Sequence, residues 1–112
     1  MINKSIFAGR ITHNLELKKT TSGDSFCRFQ LAVERNNSEN TDFPEFICYK
    51  KVAENICKFC QKGDLVAIVS RYQSRINSKN KKVSEFVVHE IYFISSKNSY
   101  IEEDYDDVKI PD

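Results

Sequence analysis

The chain has 112 residues and carries 17 Lys+Arg against 16 Asp+Glu, a net charge of +1 at pH 7; that length supports one domain around one core. No apolar run reaches the roughly 18–20 residues of a membrane span, so no membrane partner is expected. The start Met1-Ile2-Asn3-Lys4 lacks the apolar stretch and cleavage site of a secretory signal, so the expected location is cytoplasmic.

The near-zero charge hides an asymmetry. Residues 1–100 carry 16 basic and 10 acidic side chains, net +6, while residues 101–112 carry one basic and six acidic, net −5. A basic body with an acidic end suggests a polyanionic partner and a separate interaction tail.

Thirteen aromatics, eight Phe and five Tyr, suit strands better than a helical bundle. Residues 3–12 alternate apolar and polar, and Gly9 marks a bulge or bend where a sheet curls. His13 to Thr21 reads as a polar connection and Ser22-Gly23-Asp24 as a turn. Phe26 to Glu34 alternates again, with Cys27, Phe29, Leu31 and Val33 on one side and Arg28, Gln30 and Ala32 on the other. Residues 35–42 are a loop by composition. Phe43 to Lys50 predicts a third strand, with Pro44 near its start, where a missing N–H is tolerated. Val52 to Gln61 has helical spacing (Val52, Ile56, Phe59, Cys60), with Lys62 in the last turn and Gly63 as the C-terminal cap. Leu65 to Arg75 and Val83 to Ile94 predict the last two strands around a basic hairpin tip, and the tail beyond has too little apolar content to pack.

Three strands, a helix and two strands predict an all-β fold. The pattern is a five-stranded antiparallel Greek-key barrel of the OB type with the helix between strands 3 and 4. It spans residues 1–95, and residues 96–112 are predicted to be a mobile acidic tail.

Phe43 and Tyr49 stand six positions apart, an even spacing that puts both on one face of a strand, and Lys50 and Lys51 follow at once. A sheet face with aromatics rimmed by Lys and Arg stacks unpaired bases and neutralises the phosphates between them. The plainer alternative makes the two rings core, although Phe46 and Cys48 have the opposite parity and can fill the interior instead. Tyr72 is predicted to pack inward, since Arg71 and Gln73 have the outward parity; Phe26 stays open between the two roles. Lys79, Lys81 and Lys82 form either a solvated hairpin tip or a set of phosphate contacts. His13 and His89 read as surface or half-buried side chains.

Cys57-Lys-Phe-Cys60 has the gap of a metal knuckle or a redox pair. It falls in a helical segment, no second Cys-x-x-Cys exists, and both histidines are far away in sequence. The four cysteines are therefore predicted to be buried, small apolar residues, with neither metal nor cofactor and no disulfides. No Gly-rich phosphate loop, His-Glu-x-x-His or nucleophile–base pair is present, so a binding protein rather than an enzyme is expected.

Met1-Ile-Asn-Lys4, Ala8-Gly-Arg-Ile-Thr12, Glu16-Leu17, Thr21-Ser-Gly23, Phe29-Gln-Leu-Ala-Val33, Ala53-Glu-Asn55, Lys62-Gly63 and Arg71-Tyr-Gln-Ser-Arg75 follow one another in a telling order and spacing. In these the chain resembles the bacterial single-stranded DNA-binding proteins from about Met1 to Ile94, in the short form common on phages and mobile elements. The resemblance implies an OB-fold that assembles as a homotetramer, with a dimer also open. It further implies wrapping of single-stranded DNA with little sequence preference in replication, recombination, repair or DNA transfer, with RNA as an open alternative.

On this resemblance Phe43 and Tyr49 fall at the family's stacking positions. Lys51, Arg71 and Arg75 fall on or beside positions that face the DNA, and Arg35 begins a loop flanking the binding face. Arg10, Lys50 and Lys79 complete the basic candidates. Asn37 and Asn77 stand where relatives place further aromatics, so binding should lean more on phosphate contacts. The family's tail recruits replication and repair proteins through acids followed by Pro and a terminal Phe. Asp106, Asp107, Ile110 and Pro111 match that tail, but Asp112 stands in place of the Phe. Two rival readings remain: a dimeric OB-fold accessory protein, primosome-like or RNA-binding, and a zinc or thiol protein built on the cysteines.

Overall fold

A computed structural model describes residues 1–37 and 39–96; the tail positions Asp106, Asp107, Ile110 and Pro111 lie outside the described residues. The alternating segments form strands β1 (Ser5–Ile11), β2 (Lys18–Lys19), β3 (Ser25–Glu34), β4 (Thr41–Asp42) and β5 (Glu45–Tyr49). Helix α1 (Lys50–Phe59) follows, then β6 (Leu65–Ile76) and β7 (Lys82–Ser95). The short β2 and β4 occupy segments whose composition reads as connection. Both exist only because β3 is long enough to template them, at Lys18↔Phe26 and Val33↔Asp42.

The five longer strands run in the order β1-β6-β7-β5-β3, and β3 returns to β1 at Arg10↔Ala32 and Ile11↔Leu31, which closes a barrel. One pairing departs from the antiparallel expectation: β5 and β7 are parallel, through Phe46↔Phe86 and Ile47↔Val87. A parallel neighbour needs a long crossover, and α1 with β6 supplies it.

Closure brings two backbones together at Gly9. A Cβ there would collide with the carbonyl oxygen of Ala32 and crowd the Val33 side chain, so only glycine lets β1 cross β3 this closely.

Inside, Phe46 is the hub. Its ring centroid lies 5.1 Å from Phe7, 5.3 Å from Phe29 and 6.0 Å from Phe86, within the range of favourable aromatic pairs. Around these pack Ile11, Leu31, Val66, Ile68 and Val88, all buried. Tyr72 sets its ring edge against Phe86 at 6.1 Å, as its parity predicts, but stays half exposed at this end of the barrel.

Helix α1 packs on β3, β5 and β7 with Ala53 and Ile56 buried and Val52, Cys57 and Cys60 against the core. Phe59 is not on this face and is 66% exposed. At 100° per residue it lies well round the helix from the stripe Ala53–Ile56–Cys57–Cys60. Gly63 is not the helix cap either. The helix ends at Cys60 in extended geometry, with its N–H donating to the Ile56 carbonyl. Gly63 (φ 93°) instead forms the turn before β6 and donates its N–H to the Ile11 carbonyl at 2.8 Å. No helix among the described residues is long and apolar enough to cross a membrane.

Gly9→Ala is expected to destabilise the fold by about 1–3 kcal/mol, the usual range for overpacking. The check is a lower urea midpoint at unchanged m-value; an unshifted midpoint would contradict the close crossing.

Candidate nucleic-acid interface

Strand β3 pairs with β4 and β5 in one unbroken register, from Glu34↔Thr41 through Gln30↔Glu45 to Phe26↔Tyr49. Strands β4 and β5 are therefore one strand interrupted at Phe43-Pro44. Pro44 has no N–H to donate, but its carbonyl accepts from the Leu31 N–H at 3.1 Å and keeps the register through the break. Phe43, Glu45, Ile47 and Tyr49 thus share the outer face, while Phe46 and Cys48 point into the core. Phe43 is 55% exposed and Tyr49 half-buried, and at about 3.3 Å per residue they stand roughly 20 Å apart.

Cross-strand pairing adds residues that the sequence could not group. Phe26, half-buried, lies between Tyr49 on β5 and Lys18 on β2. The next row runs Arg28–Ile47–Val87–Arg71 across β3, β5, β7 and β6. Its two middle residues are nearly fully covered, at 2% and 5% exposure, although they lie outside the interior cluster. The face therefore has a dry apolar floor with an arginine at each side.

The row beyond is anionic. The parallel register continues to set Glu45 beside Glu85, with Gln30 and Gln73 as their outer neighbours. Glu85, whose side chain is 9% exposed, accepts from Arg75 Nε at 2.8 Å and from Gln73 Nε2 at 3.3 Å, and pairs with Arg28 Nη1 at 3.6 Å. Burial opposes its charge, but the hydrogen bond and charge of Arg75, with Gln73 and Arg28 behind, hold its carboxyl below the usual range. The same hydrogen bond raises Arg75. Arg28, Glu45, Arg75, Ser84 and Glu85 are among the residues lining a groove of about 310 Å³. At the other side Arg71 donates to Gln73 Oε1 and contacts His89 Nε2, both at 3.0 Å. His89 is the extra residue of a bulge in β7, between Val69↔Glu90 and Ser70↔Val88, and the bulge re-aims it.

Of the sequence candidates, the structure brings together Tyr49, Arg71 and Arg75 on this face, with Phe43 at one end. Lys50 and Lys51 are exposed in the first turn of α1, which contains no acidic residue, and Lys50 holds φ 54°. Cations at a helix N-terminus oppose the helix dipole, so this placement favours an anion nearby rather than stability. Arg35 is otherwise engaged: it forms a two-point bridge to Asp42, at 3.0 and 2.8 Å, across the base of the β3–β4 loop. Asn37 takes a left-handed turn position (φ 57°) in that loop. Asn77 Oδ1 accepts from the N–H groups of Lys79 and Lys81 and so shapes the β6–β7 turn, with Lys79 exposed at its tip. Arg10 donates to the Gly63 carbonyl at 2.9 Å, tying β1 to the turn before β6. Arg28, Glu45 and Glu85 are not among the sequence candidates. The outward parity of Arg28 was readable, but its place beside Ile47 needed the pairing of β3 with β5.

A closed Greek-key barrel with an aromatic and arginine-lined strand face defines an OB-fold, the small barrel whose strand face and loops take up oligonucleotides and oligosaccharides. A solved Plasmodium falciparum SSB in complex with ssDNA shares this fold at a TM-score of 0.71 and 21% identity, over 85% of this chain and 96% of that one. The chain belongs to the single-strand binding protein family, whose profile matches residues 2–94. It is 38% identical over 109 residues to the single-stranded DNA-binding protein of Staphylococcus aureus strain MRSA252, covering 88% of this chain and 69% of that protein. It is 31% identical over 111 residues to single-stranded DNA-binding protein 2 of Listeria monocytogenes, covering 91% and 69%.

The thiols stand apart from this face. Cys27 and Cys48 are cross-strand partners with no exposure, Cys57 and Cys60 are half-buried, and all four are free. Among the described residues no group of three or more His, Cys, Asp or Glu is placed to hold a metal ion. Burial, then a hydrogen bond with Cys27, pushes the Cys57 thiol up to about 12. The unfolded chain, with this thiol near its ordinary value of 9.0, loses the proton first as pH rises. The contribution of Cys57 to stability is thus complete below pH 9 and is lost between about pH 9 and 12. Melting temperature should fall across that window, and less steeply in Cys57→Ala; parallel curves would contradict the shift.

Proposed function

We propose that this chain binds single-stranded DNA without catalysing a reaction, coating and protecting it during replication, recombination, repair or DNA transfer in the cytoplasm. Residues 1–95 form the binding domain. The carrying observation is the row Arg28–Ile47–Val87–Arg71 flanked by Phe26, Tyr49 and Phe43. Arginines and the lysines at the start of α1 capture phosphates, and bases stack on the three rings. Since every base has a π-face, such stacking tolerates any sequence, and a duplex hides the faces that the rings need.

The outer surface of β1 and the first half of β6 supports self-association, with a homotetramer as the expected form and a dimer as the smaller possibility. Its outer rows, Ile6–Val69–Glu90 and Ala8–Ala67–Tyr92, are mostly apolar, with Ile6 71% and Tyr92 55% exposed. The second edge of β1 is paired only at Arg10 and Ile11 among the described residues. An apolar face beside an open strand edge is what a second copy would cover. Partner recruitment through Asp106, Asp107, Ile110 and Pro111 remains part of this proposal.

Anisotropy of a labelled oligo-dT should show tight binding, weak binding of the matching duplex, and a loss of roughly 1–3 kcal/mol for each of Phe43→Ala, Tyr49→Ala and Phe26→Ala. With asparagine at positions 37 and 77, affinity should fall more steeply with salt than for an aromatic-rich relative. Equal affinity for duplex and single strand would refute the reading, and preference for an RNA of the same length would move it to the RNA-binding alternative. Light scattering should give a mass several times the 13.0 kDa protomer, shifted toward the monomer by Ile6→Lys with Tyr92→Lys; a monomer in the unaltered protein would exclude self-association.

A further inference from the structure

We propose that Cys57 and Cys27 form a peroxide-reactive dithiol, in which Cys57 meets the oxidant and Cys27 closes a disulfide that ties α1 to β3. The inference goes beyond the binding reading and does not depend on it. Three of the four thiols converge behind the sheet. Cys27 on β3 and Cys48 on β5 are direct cross-strand partners, both without exposure, and the Cys48 thiol donates to the Cys27 carbonyl at 3.5 Å. Helix α1 lies across β3 and β5 and brings Cys57 onto this pair, packed against the core and hydrogen-bonded with Cys27. Of the three, only the half-buried Cys57 is reached by solvent. Cys60 stands past the end of the helix in extended geometry, and its thiol takes no part in these hydrogen bonds.

Reaction with peroxide requires thiolate character at the attacking sulfur, and the contact with Cys27 supplies it. Cys27 is the acceptor of the pair: the S–H of Cys48 and, against the effect of burial, that of Cys57 draw its thiol below the ordinary value. Cys57 therefore gives its proton to Cys27 as its sulfur attacks one oxygen of hydrogen peroxide. The O–O bond breaks, Cys57 becomes a sulfenic acid, and the leaving hydroxide takes the proton from Cys27 to form water. Cys27, again a thiolate, attacks the Cys57 sulfur; the S–S bond forms, the S–O bond breaks and a second hydroxide leaves. Two electrons have passed from the two sulfurs to the peroxide. A Cys27–Cys48 bond would also suit the Cα spacing of directly opposed strand residues, but neither of those sulfurs meets the oxidant. The bond formed clamps the helix onto the strand whose outward neighbours of Cys27 are Phe26 and Arg28.

The experiment treats the full chain with excess hydrogen peroxide at neutral pH, alkylates the remaining thiols and maps the digest by mass spectrometry. Two of the four free thiols should be lost, as one Cys27–Cys57 cross-link within a single chain that dithiothreitol reverses completely. Dimedone present during oxidation should label Cys57 and suppress the cross-link. Cys60→Ser should give the same cross-link at an unchanged rate, whereas Cys57→Ser should leave Cys27 reduced. A bond from Cys57 to Cys60, from Cys27 to Cys48 or between two chains would overturn the inference. So would a Cys57 that remains free to alkylate after peroxide. The mapping in the unaltered protein decides this without any variant, and none of its outcomes bears on whether the chain binds single-stranded DNA.

Discussion

A pleated strand can bury only one of its faces, and the rest of this molecule is arranged around how β5 does so. Phe46 and Cys48 take the inner positions because Phe46 meets Phe7, Phe29 and Phe86 there, all within 6.0 Å. That commits Phe43, Glu45, Ile47 and Tyr49 to the outside. A slip of one residue would exchange the two sets and place a glutamate in the aromatic cluster. Core packing and the outer face of the strand are therefore a single decision. The interruption at Phe43-Pro44 does not disturb it, since the Pro44 carbonyl still bonds to Leu31.

Barrel closure then decides which outward residues become neighbours. The β1–β3 crossing at Gly9 and the parallel β5–β7 pairing curl the sheet until Arg28 on β3 and Arg71 on β6 flank one apolar floor. The arginines are not simply free charges. Arg75 and Arg28 are held by Glu85, and Arg71 by Gln73 and His89, so their positions are set within the fold itself. Under the proposed role, such pre-ordering reduces the entropy lost on binding. Arg35 shows the opposite outcome, because its bridge to Asp42 neutralises it within its own loop.

The sequence by itself determined the number and order of the five long strands and the helix, since period-2 and period-3.6 patterns are local properties. It also determined that Phe43 and Tyr49 share a face opposite to Phe46, and that Cys27 and Cys48 lie in the core. Only the tertiary structure decided what depends on pairing between distant segments. The parallel β5–β7 contact, the two short strands templated by β3, and the grouping of Arg28, Glu45 and Glu85 are all of this kind. Gly63 and Phe59 depart from their sequence pattern for a related reason: a glycine after a helix serves equally as a cap or as the next turn, and a helix stripe has edges that only its neighbours define. Asn77, Arg10 and Arg35 have polar side chains whose type suits a phosphate or a backbone carbonyl alike. The folded chain supplied nearby partners for each, and proximity, which no linear pattern encodes, settled how these three residues are engaged in the fold.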